Sequence, residues 1–137
     1  MRHLVIATII LAGTAGVTNA QAKIYHTTRT LSGTVEPGHI AVVGPFASID
    51  KYCKSTATAA IKIVQRPKYG TLKLSIGSGE IEMKPGSRLA MCNDLRARGS
   101  IVTYSPRDNF HGTDVFRILL SFEDGERRLV TVPLTIQ

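Results

Sequence analysis

The chain has 137 residues, 43% hydrophobic and 20% charged, with a formal net charge of +7 at pH 7. That length makes one domain, large enough to bury a core without metal clusters or many disulfides. Two cysteines fall far short of a metal-site pattern, and a chain with no tryptophan and no aromatic run among its charges offers poor stacking platforms for nucleic acid or sugar.

The first 22 residues have the layout of a secretory signal peptide: Arg2, an apolar run from Leu4 to Ala12, and the small-residue ending Ala20-Gln21-Ala22. Thr18-Asn19-Ala20 is a second candidate cleavage site. The apolar run is too short to stay in a bilayer, and no cysteine follows it closely enough to carry a lipid. The organisation expected is therefore a leader over 1–22 and one exported domain over 23–137, with no transmembrane segment, placed in the periplasm or outside the cell. Of the 17 basic residues only Arg2 leaves with the leader, so the exported part stays basic. In an oxidising compartment Cys53 and Cys92 are expected to pair. The loop they close is worth about 4 kcal/mol by chain entropy.

Beyond the leader no stretch holds a helical period; what recurs is the alternation of half-buried strands. Glu36-Pro37-Gly38 precedes a short apolar strand over His39–Val43. Ala47–Thr58 has no clear period and leaves room for a helical turn. Pro67-Lys68-Tyr69-Gly70 separates a strand at Ala60–Val64 from one at Thr71–Ile76, in which Leu72, Leu74 and Ile76 share a face. Gly77-Ser78-Gly79 and Pro85-Gly86 read as turns flanking a strand over Glu80–Lys84 with Ile81 and Met83 inward. Asp114–Phe122 aligns Phe116, Ile118, Leu120 and Phe122, and Leu129–Ile136 aligns Val130, Val132, Leu134 and Ile136. Pro133 falls on the outward set of that last run, which suits an edge strand because proline cannot donate to the ladder. Asp124-Gly125 is the hairpin signal between these two. The expectation is an all-β fold, an immunoglobulin-like antiparallel β-sandwich of about seven strands.

Four motifs, in order, carry a resemblance. Gln65-x-Pro67-x-x-Gly70-Thr71, Tyr104-x-Pro106, Asn109-Phe110-x-Gly112-x-Asp114-x-Phe116 and Asp124-Gly125 resemble the pattern of bacterial Ig-like and cadherin-like repeat domains, common in surface adhesins. The resemblance covers residues 60–137 well and 24–59 only loosely. It implies a sandwich and a binding or structural role. Two departures stand out. No Asp-rich stretch of the calcium-binding kind precedes Ala60, and the Gly77–Gly99 segment, with Cys92, Arg96 and Arg98, is longer than the pattern requires.

The stretch Ser105–Phe116 gathers two aspartates, an asparagine and a histidine around Gly112. A small hydrolase would use His111 as base, Asp108 or Asp114 to orient it and Ser105 or Thr113 as hydroxyl, yet one turn does not easily hold three convergent side chains. Turn chemistry accounts for more of these residues. Gly112 supplies a positive φ, Phe110 and Phe116 plug the core, and Asn109, Asp108 and Asp114 accept from turn N–H groups. Asn109, Phe110, Gly112 and Asp114 are thus expected to form a structural corner. Asp108, Asn109 and Asp114 fall short of the six to eight ligands calcium takes, and His26, His39 and His111 are scattered, so no metal or cofactor is expected.

The remaining signal is basic. Lys62, Arg66, Lys68 and Lys73 flank one predicted hairpin and are expected to form one positive face, with Arg96 and Arg98 second; Arg107 and Arg127-Arg128 add further charge. An exported basic face suits an anionic envelope component or an envelope protein. The function expected is thus non-enzymatic binding or scaffolding at the bacterial cell envelope. The alternative is a subunit of an adhesin or surface assembly that uses exposed strand edges. A small hydrolase ranks third. The sequence carries no signal of oligomeric state.

Overall fold

Most of the alternating runs become strands of two sheets that close over each other and bury apolar residues between them. The computed structural model describes residues 26–83 and 86–137. The expected leader at 1–22 lies outside the described residues, as do Lys84 and Pro85.

The strands are β1 (His26–Thr30), β2 (Gly33–Val35), β3 (Ala41–Ile49), β4 (Ser55–Thr58), β5 (Ala60–Gln65), β6 (Gly70–Glu80), β7 (Arg96–Pro106), β8 (Gly112–Ser121) and β9 (Arg127–Ile136). One sheet has the order β1-β9-β8-β5, with β2 also on β9; the other has the order β4-β3-β7-β6. β1 and β2 run parallel to β9, and the remaining pairs are antiparallel. Val102 and Tyr104 from β7, Phe116, Ile118 and Leu120 from β8, and Val130 from β9 lose all exposure between the sheets. With β3, β7 and β6 in one layer and β5, β8 and β9 in the other, the connectivity is that of an immunoglobulin-like sandwich.

Nine strands are described where about seven were expected, and β1, β2, β4 and β7 lie in stretches for which no strand was expected. Ala47–Thr58 contains no helical turn. β3 runs on to Ile49, and Asp50 closes a tight turn by accepting the N–H groups of Tyr52 and Lys54 at 2.8 and 3.0 Å. Gly77-Ser78-Gly79 is not a turn either, since β6 passes straight through it. Both glycines answer close packing: a Cβ on Gly79 would stand 2.8 Å from Cδ of Pro45, and one on Gly77 3.0 Å from Ile101. The strand expected over Glu80–Lys84 ends at Glu80. Ile81 and Met83 do turn inward, but into a second cluster with Cys92, Ala97, Ile49, Cys53 and Leu89. Ala97 alternates with the core-facing Ser100 and Val102, so this cluster covers the outer surface of the four-stranded sheet. The Cys53–Cys92 disulfide pins residues 81–83 and 86–95 there. Pro133 lies on no edge strand; β9 is paired on both sides, and Pro133 falls opposite the break between β1 and β2.

Candidate functional site

Asp114 sits near the start of β8, 6% exposed, and its carboxylate is fully engaged. Oδ1 accepts the N–H groups of Lys68 and Val115, and Oδ2 accepts the Tyr69 N–H and the Tyr104 hydroxyl, at 2.8–2.9 Å. Burial pushes the carboxyl up, but the Lys68 N–H, the Tyr104 hydroxyl and the N–H groups of Tyr69 and Val115 outweigh it and hold it below the usual aspartate range. The Tyr104 phenol moves up, through burial first and then through its bond to Asp114 and that carboxylate's charge. Phe110 stacks on Tyr69 at 4.3 Å between ring centroids, and Asn109 and Gly112 take the positive φ angles of 62° and 136°. The corner is therefore structural, with two corrections: Asp114 ties down the Pro67–Gly70 connection, which is no hairpin because β5 and β6 lie in different sheets, and among the described residues neither Asp108 nor Asn109 accepts a turn N–H. His111 meets the Gln137 carbonyl through Nδ1 at 2.8 Å. Among the described residues it shares no hydrogen bond with Ser105, Asp108, Thr113 or Asp114.

The basic residues do not converge. Lys62 alternates with Ile61 and Ile63, which pair with the buried Leu120 and Ile118, so it projects from the outer face of the five-stranded sheet. Lys73 alternates with Leu72 and Leu74, which pair with the buried Tyr104 and Val102, so it projects from the outer face of the other sheet. These two lysines point to opposite sides of the sandwich, and the single positive face expected over Lys62, Arg66, Lys68 and Lys73 does not form. Arg66 and Lys68 are exposed in the β5–β6 turn; there Lys68 Nζ lies 5.3 Å and the Arg107 guanidinium 5.8 Å from the Tyr69 ring centroid. Arg96 and Arg98 are exposed at the start of β7, with Arg96 donating to the Ser78 carbonyl at 3.1 Å.

The open margin beside these residues is the more distinctive feature. Among the described residues the two sheets have four edges, and three carry the interruptions that discourage strand pairing. The β1/β2 edge is broken between Thr30 and Gly33. β4 has only four residues and a shifted register against β3. β5 is bulged, with Val64 left out of register between Ile63 and Gln65. β6 has none of these devices. Its eleven residues keep one unbroken register with β7, from Gly70 opposite Pro106 to Glu80 opposite Arg96, and Lys73 is the sole charge before Glu80. Leu72 packs on the core, but Leu74 and Ile76, on the same core-facing side, remain 45% and 56% exposed. Their partners on β7, Val102 and Ser100, are buried.

Two concavities lie elsewhere. A cleft of about 420 Å³ between β3, residues 80–83 with Ser87 and Leu89, and the β8–β9 turn carries Glu80, Glu82, Asp124 and Glu126 with Arg29 and Arg128. Arg29 faces Glu82 at 3.8 Å and Arg128 holds Glu126 at 2.8 Å, so both cations are already matched. A second, of about 530 Å³, runs between Pro37–Ile40 and Ser105–His111.

The fold is an all-β sandwich in which β6 is, among the described residues, a regular edge strand. No family model matches the chain, and no curated protein does. Among solved structures, the chain is similar to the 2,6-sialyltransferase of Vibrionaceae Photobacterium sp. JT-ISH-224, crystallised in a ternary complex with the donor product CMP and the acceptor substrate lactose. The identity is 15% over 83% of this chain, with a TM-score of 0.35, and the match spans 18% of that enzyme's length. A likeness of that size carries no argument about activity.

Proposed function

We propose that the chain is an exported, non-enzymatic assembly module of the bacterial cell envelope that associates by adding a strand to the β6 edge, and that it is a single-domain relative of bacterial Ig-like and cadherin-like repeats. One observation carries the reading: β6 is long, regular and unpaired on one side, with Leu74 and Ile76 about half exposed on its core-facing surface. Strand addition satisfies the free backbone groups of an edge and covers alternate side chains. Covering the exposed part of each of these two is worth about 1 kcal/mol. The divergence of Lys62 and Lys73 removes the main support for association by charge alone. The family reading is supported by the way its motifs meet, since Asp114 of the corner binds the Pro67–Gly70 turn and Tyr104 of the Tyr-x-Pro segment.

Co-sedimentation of the mature, oxidised protein with purified envelope fractions tests the reading. Capture is expected to survive high salt and to vanish when Leu74→Asp and Ile76→Asp are combined. Capture that high salt abolishes, or that reversal of Lys62, Arg66, Lys68 and Lys73 to glutamate abolishes while the β6 variant retains it, would transfer the function to charge. Absence of capture at either salt would end the envelope assignment.

A further inference from the structure

We infer that the strand β6 receives is β6 of a second copy of this chain, paired antiparallel about a two-fold axis through Ser75. The inference rests on the reading of β6 as a pairing edge and adds the identity of its occupant.

An antiparallel pair of identical edges has its two-fold axis normal to the sheet, so core-facing residues of one copy stand opposite core-facing residues of the other. That restricts the register to axes that pass through a residue. With the axis at Ser75, Leu74 faces Ile76 of the second copy and Ile76 faces its Leu74. The four half-exposed side chains then meet in one layer, continuous with both cores. On the outer face Lys73 stands opposite Gly77 of the second copy. The two Lys73 side chains are then four positions apart, about 13 Å along the strands, beyond the screening length of about 8 Å at physiological ionic strength.

The neighbouring registers are worse for stated reasons. An axis at Leu74 still joins apolar residues, but it brings the two Lys73 positions within about 7 Å along the strand. An axis at Ile76 separates the lysines further and sets Leu74 against Ser78. Charge excludes the first and apolar matching the second. The absence of a bulge in β6 lets the ladder form on both sides of Ser75, making one sheet of eight strands across the dimer; towards Glu80 the Ser78 carbonyl already accepts from Arg96.

Ser75 is exposed on the outer face of β6, so Ser75→Cys leaves the core untouched. On the axis the two introduced thiols are directly opposite, with Cα atoms about 4.5–5.5 Å apart, inside the range of about 4.4–6.8 Å that a disulfide spans. The experiment is mild oxidation of the purified, folded Ser75→Cys protein with no envelope material present. The crosslink is located by peptide mass, and the unmodified protein is run alongside in sedimentation equilibrium. Thr71→Cys is the control, because Thr71 is exposed on the same face and meets Gly79 of the second copy.

The expected result is a dimer, a disulfide between the two copies at position 75 of the Ser75→Cys protein, little crosslinking at position 71, and loss of the dimer in Leu74→Asp/Ile76→Asp. A monomer that does not crosslink at Ser75→Cys overturns the second copy as occupant. If that monomer is still captured by envelope fractions through β6, the occupant is an envelope strand and the assembly reading survives. A dimer that persists in the β6 double variant, or that crosslinks equally at position 71, overturns the register and the edge together. A dimer joined at Ser75→Cys but never captured by the envelope keeps the second copy and removes the envelope assignment.

Discussion

Asp114 accepts four hydrogen bonds with one carboxylate, and the donors come from three separate parts of the chain. Replacing it by alanine leaves the buried Tyr104 hydroxyl and two turn N–H groups without a partner. The expected cost is about 3 kcal/mol, read as a lower urea midpoint. The same bonds hold the folded carboxyl below its unfolded value of about 3.9. Its contribution is therefore complete above that value and is lost as pH falls through the folded value. Urea midpoints taken downward from neutral pH should fall on the acid side, and Asp114→Asn should flatten that limb. The turn chemistry of Ser105–Phe116 pointed to this corner, and Asn109 and Gly112 do adopt the backbone such a turn needs. The bond from Asp114 to residues 68 and 69 was not legible, because nothing local says which distant N–H groups a carboxylate will meet.

At the scale of elements, period-two alternation located β3, β5, β6, β8 and β9 but not β7, which carries the fully buried Val102 and Tyr104, and the hairpin turn at Asp124-Gly125 formed where its residue types indicated. Glycines misled the sequence reading once. Gly77 and Gly79 read as turn residues, whereas they admit Ile101 and the bulged Pro45 of β3 against a continuous β6. Alternation likewise put Leu74 and Ile76 on the inner face correctly, but burial depends on what lies across, and there the sandwich is open. The disulfide belongs to this scale as well. It fastens the segment around Cys92 to the Asp50–Lys54 turn across 39 positions. Replacing both cysteines by serine should cost about 4 kcal/mol. Amide exchange should accelerate first at the Ile81–Leu95 and Asp94–Ile81 backbone bonds, with the main core unaffected.

For the whole molecule, the arrangement of edges matters more than net charge. A formal charge of +7 keeps a protein soluble wherever the residues lie, and here Lys62 and Lys73 leave from opposite faces. Three edges are broken, short or bulged, while β6 stays regular and largely uncharged, an asymmetry that fits a surface kept open for pairing. None of this was legible in the sequence, since an edge is defined by a missing neighbour. The most direct measurement is amide hydrogen exchange on the oxidised protein, alone in dilute solution and then assembled at high concentration or with envelope fractions. Assembly should slow exchange along residues 70–80 and leave the turn carrying Arg66 and Lys68 unchanged. Protection centred on that turn, or none along β6, would contradict the account.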